Sequence, residues 1–564
     1  MNGFKPSDAQ RQRIPDVLRE RVAGRLPSPS VGQRFDLTLR LETPGFLFGH
    51  HPNEDPKPGK GDARWRLGSI LGVLRFWWRA AAWGRTLRAC QGDRRAALSR
   101  VHAWQSVIWG SEGGQHGHGA TIWAVAHRHE AILDKAWDAY MKNQPGRIYM
   151  AGQGLNKHRP LSPHGTLSVS ATARAGWPWL GSSDPTTRAK KHKEIAALAD
   201  WKAWTPFATT ISDNRKPTAP PTIADALLLL HLFGGVGSRS RRGFGGLSVQ
   251  GACLGGSAAD LFPTSAEEFE TSVLAILDAH ADIVDLPPYT ALNARARVLF
   301  AKFNRQDTHI AHETLGFAMQ RFRGWGLTPP DGGHPKIGTT VIDKKTERHS
   351  AVALSDHDTW YKPIANAART LNERTGRFQI TFPRNPSASP LRAGFGLPMN
   401  SRSVKKKDAD NLDQAERSLI RNKRGGKILQ TGEVLQTTLT INLHDATKGG
   451  PKRRGSPFFL KVRATPDGSI GTWLFLPAVF LPDDMPTLTA AITYSLEIRG
   501  QTMDDKLWQK FPGKYPATVS MPRPSDDAVE ALADAFFSDT LTHRRAGPAA
   551  KILSGAKAGT EETP

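Results

Sequence analysis

Between Gly234 and Gly246 the chain reads GGVGSRSRRGFGG, six glycines with Arg239, Arg241 and Arg242 interleaved with Ser238 and Ser240. Glycine supplies φ > 0 and removes the side chain that would hold a ligand's backbone away. Consecutive amides there can form an anion-binding nest, and guanidinium forks beside it match phosphate. The chemistry is therefore anion binding; the alternative is a turn with solvated arginines. No Lys-Ser/Thr follows the last glycine, so this is not a triphosphate loop. It precedes a strand instead of opening a helix, so it is not a dinucleotide fingerprint either.

Histidines offer a second chemistry. His50-His51 and His116-Gly117-His118 are the clusters, and neither has i, i+4 helical spacing beside a glutamate or a cysteine pair behind it. No metal site is expected from them. His50 and His51 follow the first strand, where a general acid–base for RNA cleavage would sit. Asp55 and Asp62 share that loop, but loop acids are more often solvated than metal-bound. No nucleophile–base set stands out, and no catalytic residue is assigned.

A third set lies in Asp62 to Arg85, DARWRLGSILGVLRFWWRAAAWGR. Ser69 is a candidate N-cap, its hydroxyl accepting from an amide one turn on. Ile70, Leu74, Trp77, Trp78 and Ala81 recur at helical spacing and predict one buried face. Gly68, Gly72, Arg75 and Arg79 fall on another stripe, where small residues admit a second backbone and first-turn amides favour an anion.

These candidates must be positioned by strands and helices of an α+β chain. Phe35, Leu37, Leu39 and Leu41 alternate with polar residues as a half-buried strand. Ile223 to Phe233 predicts a helix running into the glycine loop, and LSV beyond it a strand returning to the sheet. Pro160 to Pro221, with a basic run at Arg188 to Lys193, reads as an insertion or a flexible excursion. In the second half Phe378, Ile380 and Phe382 predict an opening strand, and RAGFGLP (392–398) echoes RRGFGGL. The lysine-rich 402–427 reads as a solvated or RNA-ordered arm. SPFFLKVRA and SIGTWLFLPAVF flank Thr465-Pro466-Asp467-Gly468, a hairpin signature. The expected organisation is a polar leader (1–30), a first module (31–255), a linker (256–290), a second module (291–546) and a flexible tail (547–564).

At 564 residues the chain is too long for one core, and 39% hydrophobic residues suffice for real ones. Lys and Arg total 76 against 52 Asp and Glu, a net charge of +24. That surplus calls for a polyanionic partner, nucleic acid or an acidic membrane surface. The longest apolar run, Ala226 to Phe233, is broken by His231 and falls far short of the roughly 20 residues of a span. No sustained basic amphipathic helix supports a membrane-surface role. The polar, basic N-terminus shows no secretory signal core, and Cys90 and Cys253 are too few for a disulfide framework, so a cytoplasmic location is expected.

LRFWWRA after a strand and a glycine-bearing loop, FGGVGSRSRRGFGGL after a later helix, then FGLP and RRGSPFFLKV with FLPAVFLP, resemble the first-subunit family of the Cmr complex. These are RAMP-superfamily proteins of type III-B CRISPR–Cas effectors. The resemblance covers most of Phe35 to Val249 and, more thinly, Phe378 to Pro482. It implies two ferredoxin-like (RRM-like) modules with the glycine-rich loop as their hallmark. It further implies a non-catalytic, cofactor-free subunit at the head of the effector, near the guide-RNA 3′ end, helping capture target RNA in antiviral defence. Its partners would be guide (CRISPR) RNA, target RNA and other RAMP subunits. RNA contacts would fall on Ser69, Arg75 and Arg79 and on Gly237, Arg239, Arg241, Arg242, Gly243 and Gly245. At least one of Arg241 and Arg242 is expected to project into the RNA groove, both as exposed cations. The enzyme alternative is a metal-independent RAMP endoribonuclease that processes guide precursors with His50 or His51. The chain is long for the family, with extra material at 160–221, 402–427 and the C-terminal tail.

Overall fold

A computed structural model describes residues 34–47, 65, 67–109, 122–129, 137–152, 160–173, 186, 218–254, 257–258, 262–323, 368–372, 377–381, 390–396, 399–407, 434–447, 450–452, 455–479, 487–499, 509–510, 515–542, 544–547 and 549–555. His50, His51, His116, His118 and the charged stretch 408–427 lie outside these residues.

In the first half the order is β1 (Arg34–Leu41), α1 (Leu67–Ala89), α2 (Arg94–Trp109), β2 (Ile122–His129), α3 (Trp137–Met141), α4 (Pro145–Ala151), β3 (Thr166–Ala173), α5 (Ile223–Phe233), β4 (Leu247–Leu254) and β5 (Ser257–Ala258). The sheet runs β2-β3-β1-β4-β5 with antiparallel neighbours. Then come α6 (Ala266–Asp278), β6 (Arg297–Phe303), α7 (Thr308–Arg323), β7 (Ala368–Asn372), β8 (Arg377–Thr381), β9 (Met399–Lys407), β10 (Val434–Thr447), β11 (Gly450–Lys452), β12 (Phe458–Thr465), β13 (Gly468–Phe475), β14 (Thr487–Arg499), β15 (Gln509–Lys510), β16 (Tyr515–Pro522), α8 (Asp526–Thr542) and β17 (Lys551–Ser554). The second sheet runs β12-β13-β6-β17, again antiparallel. Numbered in chain order, the four long strands of each sheet lie second, third, first, fourth, with crossover helices after the first and third. Both halves thus have β-α-β-β-α-β order. Strands β9 to β11 and β14 to β16 form a further sheet built from two insertions in the second half.

The layers follow from burial. The Ile70, Leu74, Trp77, Trp78 and Ala81 face of α1 is buried as its spacing predicts. Helix α5 is buried all round, because the first sheet lies on one side and Phe459, Ile470 and Leu474 of the second sheet on the other. A Thr222–Asp225 capping box starts it. The opposite face of the second sheet, with Leu460, Val462 and Trp473, packs on Leu315 and Met319 of α7 and Phe536 of α8. The order through the molecule is sheet, helices, sheet, helices.

Several expectations change. Residues 166–173, expected within an insertion, form β3 in the middle of the first sheet; TLSVSATA holds few large apolar residues, so its strand signal is weak. The second sheet opens at β6, and the strand expected around Phe378 pairs, among the described residues, in the β7–β8 hairpin; Phe382 lies outside them. Strand β6 gives no alternating signal, because Val298 to Ala301 are all buried, covered on both faces. Stretch 256–290 carries β5 and α6, residues 402–407 belong to β9, and Lys551–Ser554 of the expected tail is the edge strand β17. No described helix is long and apolar enough to cross a membrane.

Candidate nucleic-acid interface

The glycine loop leaves α5 at Gly234 and folds against residues 44–46 before entering β4. Val236 N–H donates to the Gly245 carbonyl at 2.8 Å, Ser238 N–H to Phe46 at 2.8 Å, Gly245 N–H to Pro44 at 2.8 Å and Arg242 N–H to Arg239 at 2.8 Å. Gly246 N–H donates to the Thr43 hydroxyl at 2.8 Å. These amides are taken up internally, and beside them the loop carries the guanidinium groups that it can offer an anion. Two glycines are required by position. Gly243 has φ +84, and a Cβ there would lie 2.7 Å from His312 Nε2 and 2.9 Å from Leu460 Cδ2. Gly245 has φ +63, and its Cβ would collide with the Val236 carbonyl oxygen.

The arginines divide between two sides. Arg241 turns inward, against expectation. Its guanidinium donates to the Ser456 carbonyl and lies 4.5 Å from the Phe459 ring centroid and 5.4 Å from that of Phe76 on α1. Its carbonyl accepts from Leu460 N–H at 3.0 Å, so the loop covers the free edge of β12. Burial lowers Arg241 to about 10, still charged at neutral pH.

Arg239 and Arg242 turn to the other side, toward the end of α4. A Cβ on Gly152 would lie 3.2 Å from Arg239 Nη2 and 3.7 Å from Arg242 Nη1. Burial first, then the charges of Arg323 and Arg239, lower Arg242 to about 10, with the Tyr149 phenol acting in the opposite sense. Arg323, the last residue of α7, stacks 4.6 Å from the Phe395 centroid. Arg239 itself holds φ +65, uncommon for a residue with a side chain.

A buried relay fixes this side. His312 Nε2 meets the Arg242 carbonyl at 3.0 Å and Nδ1 meets the Tyr140 hydroxyl at 2.9 Å. Because a carbonyl can only accept, Nε2 carries the proton and Tyr140 donates to Nδ1. Burial lowers His312 to about 3, consistent with a neutral ring. Arg147 lies 4.1 Å over the Tyr140 ring, and Glu313 accepts from the amides of Gly146 at 2.8 Å and Arg147 at 2.9 Å. One chain of contacts therefore sets both α4 and the loop.

On α1 the helix begins at Leu67, so Ser69 lies inside the first turn and is not the N-cap. Gly68 and Gly72 are exposed, and a Cβ added at either would have nothing within 4 Å. Arg75 donates to the side-chain oxygen of Gln105 on α2 once that amide is turned to face it. Arg79 lies 5.1 Å from the Tyr289 ring centroid. The structure thus joins α1 to the loop through Phe76 and Arg241, while Arg239 and Arg242 lie on the side of Gly152, and Arg242 is half-buried rather than the exposed cation expected. Arg323 and Tyr149 are not among the residues expected from sequence; their place at or near helix C-terminal ends is the one signal they carry.

Beneath the loop a charged cluster ties the halves together. Lys461 of β12 donates to the Gly234 carbonyl at 2.8 Å and to that of Leu247. Burial lowers it to about 7. For Glu42, burial raises the carboxyl, but the Ser248 hydroxyl and the charges of Arg40, Lys461 and Arg463 outweigh it and hold the group below its ordinary value.

No family model matches the chain, and no curated protein matches it. Among solved structures it is similar to Cmr1 from Pyrococcus furiosus in its apo form, at 12% identity over 93% of this chain and 99% of that one, with a TM-score of 0.37. It is similar to a chain of the type III-B Cmr-beta bound to cognate target RNA, at 9% identity over 90% and 100%, with a TM-score of 0.36. A chain of Cmr-beta with cognate target RNA and AMPPnP, in the presence of ssDNA, gives 9% identity over 90% and 99% and a TM-score of 0.38. At these scores and identities, the functional reading rests on this chain's own residues.

Proposed function

We propose that the chain is a non-catalytic RNA-binding subunit of a type III-B CRISPR (Cmr) effector, the first subunit that its sequence motifs resemble. In this reading its two β-α-β-β-α-β halves are ferredoxin-like RAMP modules. It sits at the head of the complex near the guide-RNA 3′ end and helps capture target RNA. The observation that carries the reading is the pair Arg239 and Arg242, held side by side against Gly152. Presenting Arg239 from a left-handed backbone costs on the order of 1 kcal/mol, which a structural turn would avoid with glycine. The chain's +24 charge supplies the longer-range attraction.

The test is single-stranded RNA affinity against salt for the full chain and for Arg239→Ala/Arg242→Ala. Losing two phosphate contacts should weaken binding and lower the salt slope by roughly 1.4, about 0.7 per contact on a single strand. A folded double variant that binds like the parent overturns the reading. Repeat-containing RNA incubated with the protein and chelator should stay intact; discrete cleavage that vanishes in His50→Ala/His51→Ala would replace the binder with the endoribonuclease.

A further inference from the structure

Both halves have β-α-β-β-α-β order, so the connection from last helix to last strand has a counterpart in each. In the first half it is the glycine loop between α5 and β4; in the second it joins α8 to β17 and includes Arg544 to Gly547. Strand β17 pairs with β6, the first strand of its half, as β4 pairs with β1. The second connection is shorter and poorer in glycine, yet both carry an arginine pair followed by glycine, Arg241-Arg242-Gly243 and Arg544-Arg545-Ala546-Gly547. Each also holds one arginine in the left-handed region, Arg239 at φ +65 and Arg544 at φ +49. The glycines match as well, Gly243 at φ +84 and Gly547 at φ +89.

The two arginines of the second connection have different surroundings. Arg545 N–H donates to the Thr540 carbonyl at 2.8 Å and its Nη1 to the Asp539 carboxylate at 2.7 Å, so it is engaged within the fold, as Arg241 is in the first half. Arg544 N–H donates to the Leu541 carbonyl at 2.9 Å, which puts Arg544 at the left-handed position closing α8, where glycine is the usual residue. Its side chain is exposed and has no hydrogen-bond or ion-pair partner among the described residues. Gly547 N–H donates back to the Arg544 carbonyl at 3.1 Å, and a Cβ on Gly547 would have nothing within 4 Å, so bare backbone lies beside the cation. One structural explanation is that Arg544 only complements the carbonyl end of α8. A cation in the last helical turn would do that without backbone strain, and that turn holds none. Glycine would close the helix better. An arginine at this position suits a charge that must project beyond the helix end. We propose that Arg544, beside the open backbone of Gly547, is a second phosphate contact for RNA, the counterpart in the second half of Arg239 and Arg242 in the first. The contact rests on the RNA-binding reading and deepens it: each half presents a cation to the RNA backbone from the same place in its topology, and the phosphate, not the base, is the group held.

The experiment measures binding of labelled oligouridylate to the full chain across a salt series, with thermal melting of the same proteins. Arg544→Gly supplies the residue that the left-handed position favours and removes the cation. It should melt no lower than the parent, bind RNA more weakly and lower the salt slope by about 0.7, one phosphate contact on a single strand. Arg544→Lys keeps a charge at the same position and should keep the parent's slope. Combined with Arg239→Ala/Arg242→Ala, Arg544→Gly should lower the slope by about 2.1 in all, because the contacts lie in different halves. If Arg239→Ala/Arg242→Ala loses RNA while Arg544→Gly keeps the parent's affinity and slope, the second contact is wrong and the RNA-binding reading stands. If all of these variants bind like the parent, both are wrong. Weaker binding by Arg544→Gly with an unchanged slope would mark Arg544 as a structural cap and overturn the proposal.

Discussion

Arg241 and Arg242 are neighbours in the chain, yet their guanidinium groups lie on opposite sides of the loop. The edge of β12 runs along one side only, and it takes the Arg241 carbonyl and, through Ser456, the Arg241 side chain. Arg241→Ala should therefore behave as a stability variant. It removes the stacking on Phe459 and Phe76 and leaves the Ser456 carbonyl without its donor, a loss of about 1–3 kcal/mol together. Urea unfolding should show that loss, with the RNA affinity and salt slope of the folded protein unchanged; a slope reduced as expected for Arg239→Ala/Arg242→Ala would put Arg241 on RNA instead. The types of residue in this loop were legible because glycine and arginine have few joint uses. Their directions were not, because Leu460, Ser456 and His312 hold the loop from the other half of the chain.

Among the elements, those with local signals were readable: the α1 face, the α5 helix and the β12–β13 hairpin, where Thr465 pairs with Gly468 across Pro466 and Asp467. Strands β3 and β6 were not, one for lack of large apolar residues and the other for lack of alternation. Helix α1 gives a test that separates folding from binding. Gly72 lies in the exposed stripe with open space around it, so Gly72→Ala should raise stability by up to about 1 kcal/mol through helix propensity. If RNA backbone approaches that stripe closely, the same variant should bind RNA more weakly while melting higher. An affinity equal to the parent's would take the RNA path away from α1. Gly243→Val is the contrasting case in the loop. The left-handed backbone alone costs about 1–3 kcal/mol, and the contacts with His312 and Leu460 add to it. Its melting temperature should fall sharply, and a variant that melts like the parent would show that the loop has another conformation available.

At the scale of the molecule, the helices of the first half are enclosed by the sheet of the second, so the halves share a core and should not unfold separately. Lys461 sits in that shared region and belongs to β12, yet it satisfies the carbonyls at both ends of the first half's glycine loop. Its charge is opposed by burial and by Arg463 and supported by Glu42, with burial dominant. In the unfolded chain its proton is held to about 10.5, and in the folded chain it leaves near 7. Between those values the unfolded state binds more protons, so stability rises with pH across the window. Denaturant midpoints from about pH 7 to about pH 9 should therefore climb in the parent and climb less in Lys461→Met, which retains the stem. The variant should also be less stable near the top of the range, since the Gly234 and Leu247 carbonyls lose their donor. Equal slopes in the two proteins would mean that Lys461 keeps its proton when folded, paired with Glu42. In that case the halves would be held by a buried ion pair, and breaking it from the Glu42 side would leave Lys461 as an uncompensated charge and unfold both halves together.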